Sequence, residues 1–135
     1  TFALPEIKSG IIADAATIKL PKRIPYHIAM ELLFTGRWID VHEAHKWGLV
    51  NEIVKANNLM IRAREIAKHL ANGPPLVFAA IKEISRAAEN SGFQETLSKM
   101  FRKEFQTIQT LYGSEDQLEG AKAFSEKRDP IWKGK

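Results

Sequence analysis

With 135 residues, 44% of them apolar, and 20 basic against 16 acidic side chains, the chain has the make-up of one globular domain rather than a disordered tail. It contains no cysteine, which excludes a disulfide framework and thiolate chemistry, and it has no apolar run near the roughly 20 residues that cross a bilayer. The net charge of +4 is spread over short clusters (Lys19, Lys22 and Arg23; Arg62, Arg64 and Lys68; Lys127, Arg128, Lys133 and Lys135) with acids among them. Such clusters read as solvated helix faces or a site for a small polyanion such as a nucleotide phosphate, not as a nucleic-acid surface. The expectation is a cytoplasmic protein with no nucleic-acid and no membrane partner.

The opening segment, Phe2-Ala3-Leu4 followed by Pro5-Glu6, predicts a short strand running into a turn, with Gly10 opening a loop. It reads as the middle of a domain, so residues preceding it are expected to be missing. Asp14 to Leu20 predicts a short helix closed by Pro21. Pro25 suits the first position of a second helix that presents Ile28, Ala29, Leu32 and Leu33 on one face and ends at Gly36. Asp40 and Glu43 form a capping box for a third helix ending near Trp47-Gly48, and the β-branched run 49–54 predicts a strand.

Asn58 is placed to cap a helix reaching about Ala71, and Asn72-Gly73-Pro74-Pro75 breaks the chain. The helix opened by Pro75 carries Val77, Phe78, Ile81, Ile84 and Ala88 at helical spacing, up to Ser91-Gly92. One long helix is then expected, lined by Phe93, Leu97, Met100, Phe101, Phe105, Ile108 and Leu111. Gly113 ends it, and Ser114 with Gln117 makes a second capping box for a last helix reaching about Arg128. Two short strands cannot sustain a sheet alone, so the pattern is mainly α with two short strands, the helical half of a larger α/β domain.

Spacing alone yields little chemistry. His42 and His45 are three apart, a metal-compatible interval, but no third ligand is obvious and a surface role weighs more; no metal site is expected. His27 and His69 stand alone. No phosphate-binding glycine loop or nucleophile elbow occurs. Trp38, Trp47 and Trp132 read as packing residues, with Trp132 also a candidate contact surface. Glu6 is the one acid singled out by position, on a turn at a strand end.

Three segments in register resemble the crotonase family, the enoyl-CoA hydratase/isomerase superfamily: Phe2-Ala3-Leu4-Pro5-Glu6 through Gly10, Thr35-Gly36-Arg37 through Glu43-Ala44 to Gly48-Leu49-Val50-Asn51, and Glu119-Gly120 with Ala123-Phe124-Ser125-Glu126-Lys127-Arg128. Within the superfamily, Ser114-Glu115-Asp116 and the end Lys127 to Gly134 look most like its carnitinyl-CoA dehydratase (crotonobetainyl-CoA hydratase) branch. The resemblance implies the C-terminal half of a crotonase-type α/β fold, a ββα spiral, with residues 1–57 as the remainder of the spiral core and 58–135 as a helical oligomerisation and CoA-contacting region. It implies a homo-oligomer, trimer or hexamer. No cofactor is expected beyond the coenzyme A of an acyl-CoA substrate.

The resemblance also assigns roles. Glu6 matches the family's glutamate that delivers a proton to the α-carbon during water addition to a 2-enoyl-CoA, while a second glutamate and the oxyanion-hole backbone belong to the half expected before Thr1. Asp14 keeps an acid of the carnitine branch that could face a trimethylammonium group, although Ala13-Asp14-Ala15-Ala16-Thr17 replaces the family's Pro/Gly-Gly loop. Phe124 and Lys127 match positions that hold the adenosine-phosphate end of CoA; the alternative is a packing aromatic and a solvated charge favoured by the helix dipole. The chain alone is expected to be inactive as a hydratase or dehydratase. The competing expectation is a non-catalytic helical assembly module that oligomerises and holds CoA.

Overall fold

A computed structural model describes all 135 residues, Thr1–Lys135. The chain forms two compact units, Thr1–Ile61 and Arg62–Lys135. It is mainly helical, as the pattern predicts, but neither expected strand forms. The only β pairing is an isolated antiparallel bridge between Phe2 and Ile39, whose N–H groups each donate to the other's carbonyl at 2.9 Å. The β-branched run 49–54 stays irregular for a physical reason. The N–H groups of Leu49 and Val50 both donate to the Ala44 carbonyl, closing the preceding helix, and no strand lies alongside to pair the rest.

In the first unit, Pro5–Ser9 forms a 3-10 turn that ends at Gly10 in the left-handed conformation. Glu6 therefore sits inside a helical turn, not in a loop after a strand. Helix α1 spans Asp14–Lys19 and passes into a 3-10 turn, Leu20–Lys22, at Pro21. Ala16 and Thr17, which stand where the resemblance implies a glycine pair, lie within α1; alanine in place of glycine alone favours helix by about 1 kcal/mol. Helix α2 spans Tyr26–Thr35, with Pro25 just outside as the N-cap instead of the first helical position, and it stops at Gly36. Helix α3 spans Val41–Lys46. Ile28, Ala29 and Leu32 on α2 close a core with Leu20, Ile24, Ile39 and Ala44, and Leu4 and Trp47 pack on its edge. Trp38 does not join this core: it is exposed, as are Tyr26 and Phe34.

Helix α4, Leu59–Ala71, follows a 3-10 turn that contains Asn58, so Asn58 precedes the helix without capping it directly. Leu59, Ile66 and Leu70 on α4 are all exposed. Helix α5, Pro75–Ala88, starts at its proline as the sequence predicts. Its buried face is rotated from the expected one: Ala80 is buried with Ile84 and Ala87 beside it, while Ile81 is exposed.

The long helix expected after Gly92 is broken. Helix α6 spans Phe93–Phe101 and helix α7 Gln106–Leu111. Between them Lys103 takes a left-handed φ of 55°, and the N–H groups of Lys103 and Glu104 donate back to Met100 and Lys99. A lysine there costs about 1 kcal/mol over glycine. The break divides the apolar stripe: Phe93 and Phe101 are exposed, whereas Phe105 and Ile108 turn in against Ala80. Glu83 of α5 secures the new helix start, because its Oε2 accepts from the Thr107 N–H at 3.0 Å and from the Thr107 hydroxyl. Those bonds hold the Glu83 carboxyl below the ordinary carboxylate range.

Helix α8, Glu115–Glu126, begins with Ser114 accepting from the Gln117 N–H at 3.1 Å. The reciprocal bond goes one residue further back than a capping box predicts, from the Gly113 N–H to Gln117 Oε1 at 2.7 Å. The chain end then folds back along α8. Asp116, only 3% exposed, accepts from the Lys133 and Gly134 N–H groups at 2.7 and 2.9 Å, and its own N–H donates to the Lys135 carbonyl at 3.0 Å. Trp132 lies over Gly120, where an added Cβ would stand 3.2 Å from the indole. Replacing Asp116 with Ala removes the charged acceptor of the Lys133 and Gly134 N–H groups, so Asp116→Ala should destabilise the chain by about 2 kcal/mol. Hydrogen exchange should show the 131–135 amides losing protection first; unchanged protection there would remove Asp116 as the anchor.

Candidate functional site

Glu6 and Asp14 lie in the first unit, Phe124 and Lys127 in the second. Local backbone bonds shape the Glu6 turn. Pro5 locks its own φ and starts the turn, Gly10 closes it by donating to Ile7 at 3.1 Å, and the Ile11 N–H donates to the Glu6 carbonyl at 3.3 Å. Leu4, just before it, packs on the α2 core. The Glu6 side chain is half-buried, and its Oε2 is buried without a hydrogen-bond partner. A buried carboxylate oxygen left without a donor is costly, and a catalytic role is one of the few reasons for a fold to keep it. Beside residues 2–4 lies a mostly apolar cavity of about 230 Å³, lined by Phe2, Leu4, Ala16, Leu20, Leu32 and Ile39 with Arg37 at its wall.

Behind the turn stands an ion cluster that spacing does not reveal. Arg37 donates from Nε to Glu31 Oε1 at 2.6 Å and grips Glu43 through both terminal nitrogens, at 2.9 and 2.5 Å. The Trp47 indole N–H adds a longer bond to Glu43 at 3.4 Å. Glu43 is thus half of a capping box only: Asp40 does accept from the Glu43 N–H at 2.8 Å, but the Glu43 carboxylate turns to Arg37 instead of the Asp40 N–H. The guanidinium holds the Glu43 carboxyl below its ordinary range, and the two carboxylates raise Arg37, Glu43 more than Glu31. The cluster joins the end of α2 to α3 across Gly36. Arg37 lies in the Thr35-Gly36-Arg37 motif, the one signal in the sequence that could have pointed to it.

Asp14 is exposed at the start of α1 with a φ of 32°, and no hydrogen bond or ion pair joins it to Glu6. In the second unit, Phe124 is 89% exposed near the end of α8. Lys127 stands just outside that helix, as its left-handed C-cap, rather than within it. Its neighbour Arg128 is occupied: it holds Glu119 through both terminal nitrogens at 2.6 and 2.9 Å, and Glu126 through Nε at 2.7 Å. Lys127 is therefore the cation at this helix end that no carboxylate engages. His42 and His45 are exposed, and no group of three or more His, Asp and Glu side chains gathers to hold a metal.

Residues 1–135 match the family model described as enoyl-CoA hydratase/isomerase. Carnitinyl-CoA dehydratase of Citrobacter koseri is 44% identical over 136 residues, which take in all of this chain and 52% of that protein. The carnitinyl-CoA dehydratase of Salmonella agona is 43% identical with the same coverage. Among solved structures, enoyl-CoA hydratase of Mycobacterium tuberculosis H37Rv superposes with a TM-score of 0.83 at 34% identity, over 99% of this chain and 52% of that one. Enoyl-CoA hydratase of Bacillus anthracis gives 0.83 at 34% identity, over 98% and 50%. The chain spans about half the length of the curated relatives it matches.

The Glu119–Arg128 pair makes the α8 end sensitive to acid. Hydrogen bonds from Arg128, then from the Ile131 N–H, pull the Glu119 carboxyl down to about 2. A carboxyl lowered on folding stabilises the folded state above its unfolded pKa, and that contribution fades as pH falls toward the folded value. The segment 128–131 should therefore stay ordered at pH 5 and loosen between about pH 4.5 and 2, with Glu119→Gln abolishing this acid step. Amide chemical shifts of Ile131 across that range check it; an unchanged step in Glu119→Gln would contradict the assignment.

Proposed function

This chain belongs to the enoyl-CoA hydratase/isomerase family, and we propose that it is the part of an acyl-CoA hydratase or dehydratase that supplies the proton donor to the α-carbon. In the forward direction water adds across the 2,3 double bond of an enoyl thioester: hydroxide joins the β-carbon and a proton joins the α-carbon. Glu6 delivers that α-proton. The observation that carries the reading is the buried Glu6 Oε2, an oxygen that no donor of this chain occupies, on a turn held from both sides. A second carboxylate must take the proton of the water, and two N–H donors must meet the thioester oxygen as negative charge develops on it. We assign those groups to the remainder of a protein about twice as long. The coverage of only 52% of the dehydratase relatives supports placing the activity in the longer protein and none in this chain alone.

The identities of 43–44% with carnitinyl-CoA dehydratases favour crotonobetainyl-CoA and carnitinyl-CoA as the substrate pair, with Asp14 facing the quaternary ammonium group. Its exposure and single negative charge suit that contact. Phe124 and Lys127 serve the other end of the substrate: an exposed ring for the adenine to stack on and an unengaged ammonium for a phosphate. Proteins of this family commonly form oligomers, and we assign a trimer, or a dimer of trimers, in the cytoplasm. The exposed apolar residues of α4 and α6, among them Leu70, Phe93 and Phe101, are the surfaces such an assembly would cover.

In the full-length protein, Glu6→Gln should lower kcat by about 10²–10⁴-fold while KM for the acyl-CoA stays within a few-fold, as expected for loss of a proton donor. Steady-state hydration followed by loss of the enoyl thioester absorbance measures both. Full kcat in Glu6→Gln would remove Glu6 from the reaction.

A further inference from the structure

We propose that Gly36 is a positioning residue for Glu6: its missing side chain lets the end of α2 come close enough to set where the Glu6 carboxylate stands. The inference rests on Glu6 being the proton donor. Gly36 lies in the family-like Thr35-Gly36-Arg37 segment, 30 residues from Glu6, and its obvious duty is to end α2. It does end it, with a φ of 57° and its N–H donating to Leu32 at 2.9 Å. That duty accounts for the backbone angle but not for the surroundings. Gly36 is buried, and a Cβ built on it would lie 3.0 Å from Ile7 Cγ2, 3.2 Å from the Leu4 carbonyl oxygen and 3.2 Å from Pro5 Cα. Those three atoms belong to the residues that flank Glu6 on either side. Two of the three are backbone atoms, which no rotamer change moves aside.

An added side chain must therefore displace one of two partners, and the rest of the unit decides which. The α2 end cannot recede easily. Arg37 ties it to Glu31 and Glu43 through three charge-assisted bonds, and the Thr35 hydroxyl accepts from the Arg37 N–H at 3.3 Å while donating to the Glu31 carbonyl at 2.7 Å. Downstream, Ile39 is buried and bonded on both sides to Phe2. The bridge at Phe2 and Ile39 also anchors the segment before the turn. What remains able to yield is the Pro5–Ser9 turn itself, which carries Glu6 and buries no residue of its own. A shift of a few tenths of an ångström at that turn moves the carboxylate off the α-carbon; since a misplacement of about 1 Å costs about 10²-fold in rate, this smaller one costs up to about tenfold.

Gly48 supplies the control. It follows α3 with a φ of 78°, a similar left-handed position, yet a Cβ there meets nothing within 4 Å. Gly48→Ala therefore reproduces the backbone strain of Gly36→Ala without the contact. Gly36→Asn is the second variant, because asparagine tolerates left-handed backbone and leaves the steric contact as the main change. In the full-length protein, with rates normalised to the folded fraction from thermal unfolding, Gly36→Ala and Gly36→Asn should lower kcat about five- to tenfold with KM within about twofold. Gly48→Ala should lower Tm by an amount similar to Gly36→Ala but keep kcat within about twofold. Adding Ile7→Ala to Gly36→Ala relieves only the side-chain contact, so kcat should stay low.

The proposal is overturned if Gly36→Asn keeps wild-type kcat, if Gly48→Ala loses as much kcat as Gly36→Ala, or if Ile7→Ala restores the rate. Glu6→Gln, measured beside them, separates the two levels. An inactive Glu6→Gln with a fully active Gly36→Asn sinks the positioning role alone. A fully active Glu6→Gln sinks both, since nothing would then need positioning.

Discussion

The first unit depends on one close approach: the backbone of the Leu4–Ile7 segment rests on Gly36 with no room for a side chain between them. Glycine makes this possible twice over, because the same residue supplies the left-handed angle that stops α2 and the bare surface that receives the turn. The surrounding elements then fall into place as supports. The Phe2–Ile39 bridge holds the chain before the turn, the Arg37 cluster holds the chain after the glycine, and the Leu20–Ala44 core lies beneath. A carboxylate that is half-buried, with one oxygen unpartnered, persists only where the frame around it is rigid enough to bear the cost.

Charge-assisted hydrogen bonds recur as the fastenings in both units. Arg37 binds Glu31 and Glu43, Arg128 binds Glu119 and Glu126, Glu83 caps α7, and Asp116 holds the chain end. The apolar cores are thin by comparison. No large side chain in the structure is completely buried, and many large apolar residues on α2, α4 and α6 face outward. A chain built this way depends on specific polar joints for its internal geometry and leaves much apolar surface exposed. This division fits a family whose members commonly assemble into oligomers, and a chain that spans half of its relatives.

The sequence reveals the elements that are punctuated locally and conceals those decided at a distance. Gly36, Pro75, Gly92 and the Ser114–Gln117 pair mark helix ends that the structure keeps. The α6–α7 break carries no glycine or proline, so the apolar stripe from Phe93 to Leu111 reads as one helix; the break is secured by Glu83, 24 residues before the Thr107 it caps. The run 49–54 has the composition of a strand, but composition provides no neighbour to pair with. Glu43 illustrates the same limit within a motif: the D-x-x-E spacing is real, yet a guanidinium at Arg37 outcompetes a backbone N–H for its carboxylate. At the site, Glu6 was legible through the Pro-Glu turn and its resemblance. Gly36 was legible only as a helix stop, because its contact with the turn bridges 30 residues and is visible only in three dimensions.

The central claim is that Glu6 moves the proton at the α-carbon, and isotope exchange at that carbon tests it most directly. The full-length protein, incubated in D₂O with a 3-hydroxyacyl-CoA product, should place one deuterium stereospecifically at C2, observed by mass and proton NMR. Glu6→Gln should incorporate deuterium there at least about a hundredfold more slowly. Stereospecific exchange at the wild-type rate in Glu6→Gln would contradict the account.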